Sequence, residues 1–156
     1  AGVVPDIMTL GKGIGGGVPL SALLCRNQVS CFAPGDQGGT YNGNPLMCAV
    51  GLAVLNELQK PGFLPQVEAT GQYLWQQLQQ LSAHYQLGAV RGQGLLLALN
   101  TGAINAVELV EQARLRGLLI NAPRPDCLRF MPALNVSTTE IDQMLTILSG
   151  LPGFQG

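Results

Sequence analysis

The stretch from Asn44 to Leu58 restricts the fold of this chain more than any other. Asn44 can accept hydrogen bonds from a first helical turn, and Pro45 brings a fixed φ to its first position. Leu46, Met47, Cys48, Ala49, Val50, Leu52, Ala53, Val54 and Leu55 follow, leaving almost no polar face before Lys60-Pro61-Gly62 breaks the run. A helix apolar nearly all round is expected to be covered on several sides. Composition points the same way. Only 11% of the 156 residues are charged and 47% are hydrophobic, against about a quarter charged in ordinary soluble proteins. Such a chain is either membrane-associated or part of a larger body that buries its faces. No apolar run reaches the roughly 20 residues that span a bilayer, so burial against other protein is the expectation. The opening Ala1-Gly2-Val3-Val4-Pro5 has no initiator Met and no signal-peptide pattern, and is expected to be the interior of a longer sequence.

Around that helix the pattern is mixed. Residues 7–10 and 19–25 are short apolar runs expected to be buried strands. Residues 27–32 could form one or two helical turns, and 35–43 read as a loop. Beyond residue 60 the chain alternates helix and short strand. A helix is expected over 64–85, with Leu64, Val67, Leu74, Leu78 and Leu81 inward at helical spacing. Two strands are expected within 88–99, turning at 91–94. An amphipathic helix follows over 105–116, with Val107, Leu109, Val110 and Ala113 inward and Gly117 as its stop. Residues 118–121 and 127–131 are further strand candidates, separated by a Pro-rich turn. Ser137-Thr138-Thr139-Glu140 carries a capping-box signature for a last helix. The shift near residue 60 is read as a domain boundary: 1–60 before it, and 61–156, a small α+β unit, after it.

Charge and cysteine content narrow the function. The net charge is −1 and the eight basic residues are scattered, which argues against nucleic acid as a partner. Cys25, Cys31, Cys48 and Cys127 form no C-x-x-C pair, and one His, His84, is too little for a metal centre. Free thiols in a reducing, cytoplasmic setting are expected. No metal is expected.

The segment Pro5-Asp6-Ile7-Met8-Thr9-Leu10-Gly11-Lys12-Gly13-Ile14-Gly15-Gly16-Gly17-Val18-Pro19 carries the chemistry. Lys12 leaves a strand into glycines and is one of only two lysines, with Lys60. Desolvation in a cavity would make such a lysine an amine nucleophile, and the glycines would let a flat ring approach the backbone. A bare K-x-x-G-G-G is more often a flexible loop with a solvated lysine. The order of a phosphate-binding G-x-x-x-x-G-K-[ST] loop is absent. The whole segment, however, resembles the cofactor-lysine region of the class III aminotransferases, P-D-[IL]-x-[TA]-x-x-K-x-[LI]-[GA]-G-G-x-P, and matches it at every element. Two further stretches resemble the same family. Gly39-Thr40-Tyr41-Asn42-Gly43-Asn44-Pro45 is similar to G/S-T-[FY]-G/S-G-N-P, and Leu128-Arg129-Phe130-Met131-Pro132-Ala133-Leu134 to [IVL]-R-F-x-P-[PS]-L. Two positions depart from the pattern: Asn42 replaces a small residue, and Gly39 stands where a serine beside the substrate is frequent.

The resemblance, which runs from Pro5 to about Gly150, implies an α/β fold of the fold-type I aminotransferase kind. It implies that 1–60 ends a large cofactor-binding domain and that 61–156 is the small C-terminal domain. It implies pyridoxal 5′-phosphate as cofactor, held by Lys12 as the catalytic residue. It implies Thr40 as a ligand of the cofactor phosphate in the neighbouring subunit of a homodimer. Arg129 is implied to bind the substrate α-carboxylate through a bidentate pair, with Gly39 beside the substrate. The implied reaction moves an amino group from N-acetylornithine to 2-oxoglutarate, in arginine biosynthesis; ornithine, succinylornithine and GABA are alternative donors. A non-catalytic product that folds or pairs without turnover is the other class of reading, and the 156-residue chain by itself is expected to be inactive. Arg91, in Arg91-Gly92-Gln93-Gly94-Leu95, Tyr73 and Trp75 read as structural.

Overall fold

The structure, a computed structural model, describes residues 2–154. Ala1, Gln155 and Gly156, the ends of the two expected domains, lie outside the described residues. The chain divides into two compact units, Ala1–Phe63 and Leu64–Gly156.

In the first unit, β1 (Ile7–Leu10) pairs antiparallel with β2 (Ala22–Cys25) in continuous register, Ile7 opposite Cys25 and Leu10 opposite Ala22. The loop between them includes a 3₁₀ turn over Lys12–Gly15. A second 3₁₀ turn, Asn27–Val29, follows β2. Helix α1 (Pro45–Leu58) begins where expected, because the Asn44 side chain accepts from the Leu46 and Met47 amides at 3.0 and 3.4 Å. Gly51 is the buried residue of this helix. Leu20 lies so close that a Cβ at Gly51 would stand 2.5 Å from its Cδ2, so glycine is what lets the β1–β2 loop pack on α1.

The strands expected to be buried are not covered by this unit, since Ile7, Met8, Leu23 and Leu24 are all exposed. Leu46, Leu52 and Leu55 of α1 are open as well, as the expectation of cover by other protein allows.

The second unit holds the core. Helix α2 (Phe63–His84) precedes β3 (Val90–Gln93) and β4 (Leu96–Asn100). Then come α3 (Ala106–Leu115), β5 (Asn121–Arg124), β6 (Cys127–Phe130) and α4 (Thr138–Ser149). The four strands form an antiparallel sheet in the order β3-β4-β6-β5. Leu74, Leu78 and Leu81 of α2 are buried together with Leu97, Leu99, Leu109, Leu128, Phe130, Ile141 and Leu148. Tyr73 and Trp75 pack against this core, as expected of structural aromatics. Arg91 donates to Cys127 Sγ at 3.6 Å across the sheet, also a structural role.

Four details differ from the sequence expectation. The β3–β4 turn is at Gly94 and Leu95 rather than over 91–94, with Arg91 to Gln93 inside the strand. The strand expected at 118–121 forms at Asn121–Arg124 instead and contains Pro123. It can do so because β5 is a sheet edge, where a residue without an N–H breaks no ladder. Val107 of α3 is exposed rather than inward, as is Leu64 of α2. Both occupy the first turns of their helices, where the apolar stripe overruns the core.

Candidate active site

Lys12 follows β1 directly and adopts φ 53°, the left-handed region that non-glycine residues seldom enter. Gln86 is the other non-glycine residue with positive φ among the described residues. Gly16 and Gly17, at φ 57° and 113°, complete the turn back toward β2. A Cβ built on Gly11 or Gly13, the neighbours of Lys12, meets nothing within 4 Å. The backbone face beside Lys12 is therefore open to a flat group. The lysine itself is exposed, so the expected cavity around it is not enclosed by the first unit. Asp6 pairs with Arg26 at 3.3 Å and ties β1 to the segment after β2; it takes no part in the Lys12 loop.

Thr40 and Gly39 lie in the exposed turn before α1. The Asn42 amide donates to the Gly39 carbonyl at 3.1 Å, and Asn44 N–H to Tyr41 O at 3.2 Å. Of the first amides of α1, those of Leu46 and Met47 are already occupied by the Asn44 side chain. The Thr40 hydroxyl is one of the donors this exposed turn offers. The two departures from the family pattern touch each other: a Cβ at Gly39 would lie 2.9 Å from Asn42 Nδ2. The larger residue at 42 fills the space that a side chain at 39 would take.

In the second unit, Arg129 is on β6, opposite Ala98 of β4 and Asn121 of β5. Its Nε is buried and without a hydrogen-bond partner. The ion pairs among the described residues do not involve it. Arg129 lines a cavity of about 370 Å³, whose walls include Leu118, Ile120, Phe130, Val136 and Met144, with Asn121 and Glu140 as its other polar members. A guanidinium lining a space of that size offers a place for an anion. A second groove of about 490 Å³ runs between α2 and the β3–β4 turn, but Glu68 is its one charged group. Glu140, missed as a cavity residue by sequence reasoning, lies outside the Arg129 motif and was legible only as a helix cap.

The residues of the first unit fit pyridoxal phosphate in kind: a lysine at positive φ among open glycines, and a hydroxyl in an exposed turn. Groups of His, Cys, Asp and Glu that could hold a metal do not occur among the described residues. The four thiols are unpaired, with Cys127 buried and the other three exposed. No helix among the described residues is long and apolar enough to cross a membrane.

Comparison with known proteins bears on all of this. The family model described as aminotransferase class-III matches residues 1–151. The acetylornithine aminotransferase of Ralstonia nicotianae is 60% identical over 152 residues, 96% of this chain and 38% of that protein. Acetylornithine aminotransferase 2 of Bordetella pertussis is 53% identical over the same shares. This chain thus spans about two fifths of the length of the relatives it matches. Among solved structures, the acetylornithine aminotransferase of Elizabethkingia anophelis superposes with a TM-score of 0.85 at 31% identity, over 94% of this chain and 40% of that one. The ornithine δ-aminotransferase of Plasmodium falciparum gives 0.86 at 28%, over 99% and 40%. Family match, relatives and fold agree, and the chain belongs to the class III aminotransferases, a pyridoxal-phosphate-dependent family of the fold-type I kind.

Proposed function

We propose that this chain is the C-terminal part of an acetylornithine aminotransferase, with residues 1–60 closing the cofactor domain and 61–156 forming the small domain. In the whole enzyme an amino group passes from N-acetylornithine to 2-oxoglutarate. The observation that carries this reading is Lys12, held at positive φ between a strand end and open glycines. When bound, pyridoxal phosphate supplies the electron sink that amino transfer needs. Lys12 Nζ would hold it, and the same amine would move the proton at the carbon that bears the transferred amino group, the δ-carbon of N-acetylornithine and the α-carbon of the glutamate formed. The Thr40 hydroxyl donates to a phosphate oxygen, from the neighbouring subunit of a homodimer. Arg129, which lines the cavity of the second unit, takes the α-carboxylate through its planar guanidinium. Gly39 lies beside the donor. A cytoplasmic location and a role in arginine biosynthesis belong to the same proposal.

Initial rates of the full-length enzyme with N-acetylornithine, succinylornithine, ornithine and GABA test the donor. The highest kcat/KM is expected for N-acetylornithine. A clear preference for GABA would remove the substrate assignment and leave the family intact.

A further inference from the structure

The turn that carries Thr40 is closed by its own chain. Thr40 and Tyr41 are its central residues, and the Asn42 N–H donates across them to the Gly39 carbonyl at 3.1 Å. A second turn follows at once, with Asn44 N–H donating to Tyr41 O at 3.2 Å. Gly43 stands inside it at φ 67°, where a side chain would be strained. Asn44 then caps α1 through the Leu46 and Met47 amides. Consecutive local bonds thus tie Thr40 to the first turn of α1.

Backbone bonds of an exposed turn leave it room to open, and one side chain limits that room. The Asn42 carboxamide occupies the space in front of Gly39. A Cβ on Gly39 would stand 2.9 Å from Asn42 Nδ2 and 3.0 Å from both Cγ and Oδ1, its three nearest atoms. At Gly38 and Gly43 an added Cβ would meet nothing within 4 Å. Gly39 is not at positive φ, so its backbone would accept a side chain; what excludes one is Asn42. Positions 39 and 42 share one space, with Thr40 on the turn between them. Either residue can fill that space, but not both.

We propose that Asn42 is a positioning residue for the cofactor phosphate: its carboxamide, packed against Gly39, holds the turn in the shape that aims the Thr40 hydroxyl. This role rests on Thr40 being a ligand of that phosphate. A hydroxyl fixed before the phosphate arrives loses little freedom on binding, so affinity rises without any contact between Asn42 and the cofactor.

The test uses the full-length apoenzyme and two probes, pyridoxal phosphate and pyridoxal, with affinity read from the absorbance of the bound probe. Lys12 serves both alike, and only the first has a phosphate for Thr40. Asn42→Gly is expected to weaken pyridoxal phosphate about five- to tenfold and pyridoxal by less than about twofold. Asn42→Ala also empties the space and carries the same expectation if the glycine variant does not fold. Gly39→Ala pushes the carboxamide aside and should weaken pyridoxal phosphate by a similar factor. The double variant Gly39→Ala/Asn42→Gly fills the space from the other side, and its affinity should return to within about twofold of the parent. Equal weakening of both probes by Asn42→Gly, which a general structural role would give, overturns the proposal. So does a double variant that binds no tighter than the singles. Thr40→Val separates the two layers. It removes the hydroxyl at nearly constant shape and should cost about tenfold or more for pyridoxal phosphate alone. Unaltered pyridoxal phosphate affinity in that variant overturns both the Thr40 assignment and the role of Asn42. A loss in Thr40→Val with none in Asn42→Gly removes the role of Asn42 alone.

Discussion

Lys12 combines two properties that pull against each other: its backbone occupies the left-handed region, and its side chain is exposed. A non-glycine residue there costs about 1–2 kcal/mol, and strain of that kind concentrates where a side chain must be aimed. Lys12→Gly should therefore raise stability by about 1 kcal/mol in a denaturant titration while abolishing amino transfer in the full-length enzyme. Loss of stability together with retained activity would refute both halves of that expectation. At Arg129 the geometry matters as much as the charge. Arg129→Lys keeps the charge but loses the planar fork, so the donor KM should rise about tenfold with cofactor retention unchanged. An unchanged KM with faster cofactor loss would place Arg129 elsewhere in the mechanism. Lys12, Thr40 and Arg129 stand out in the sequence as candidates because each belongs to a local motif. The strain at Lys12 does not, since a lysine's identity does not encode its φ. Nor does the contact of Asn42 with the space beside Gly39, which depends on how the turn folds.

Elements with strong local signals formed where the sequence put them, and those set by partners did not. Asn44, Asn105 and Ser137 each cap the helix expected after them, because a cap needs only three or four consecutive residues. Strand β5 moved, because the identity of an edge strand depends on which stretch reaches the sheet. Glycine at 92 is a fixed requirement of the β3–β4 hairpin: its φ is 126°, and a Cβ there would fall on the Leu96 carbonyl oxygen. Gly92→Ala should destabilise the second unit by roughly 2 kcal/mol or more, measured by chemical unfolding. Helix α4 should show a pH dependence of its own. The Glu140 carboxyl is held below its ordinary pKa by its bonds to the Ser137 N–H and hydroxyl. Its contribution to stability is therefore complete above the unfolded-state pKa and is lost as pH falls through the lower folded-state value. Between neutral pH and strong acid, Glu140→Gln should flatten the stability profile relative to the parent. Parallel profiles would mean that the cap contributes nothing that titrates.

The whole chain is two units of different character. The second has a core of its own, and Leu78 lies at its centre, fully buried. Leu78→Ala should cost about 2–5 kcal/mol there. The first exposes the apolar faces of β1, β2 and α1, which explains the low charge fraction that the sequence showed. That fraction pointed to cover beyond the unit's own residues, but composition does not say which residues supply it. Sedimentation of the full-length enzyme at low micromolar concentration should give a dimer, and a fully active monomer would remove the cross-subunit role of Thr40. The central claim, that Lys12 holds pyridoxal phosphate, has a more direct test, because the chain has only two lysines. Borohydride reduction of the cofactor-loaded full-length enzyme followed by peptide mapping reports which lysine was bonded. The pyridoxyl group is expected on Lys12 in nearly every subunit, and a label on Lys60, or on no lysine of this chain, would contradict the account.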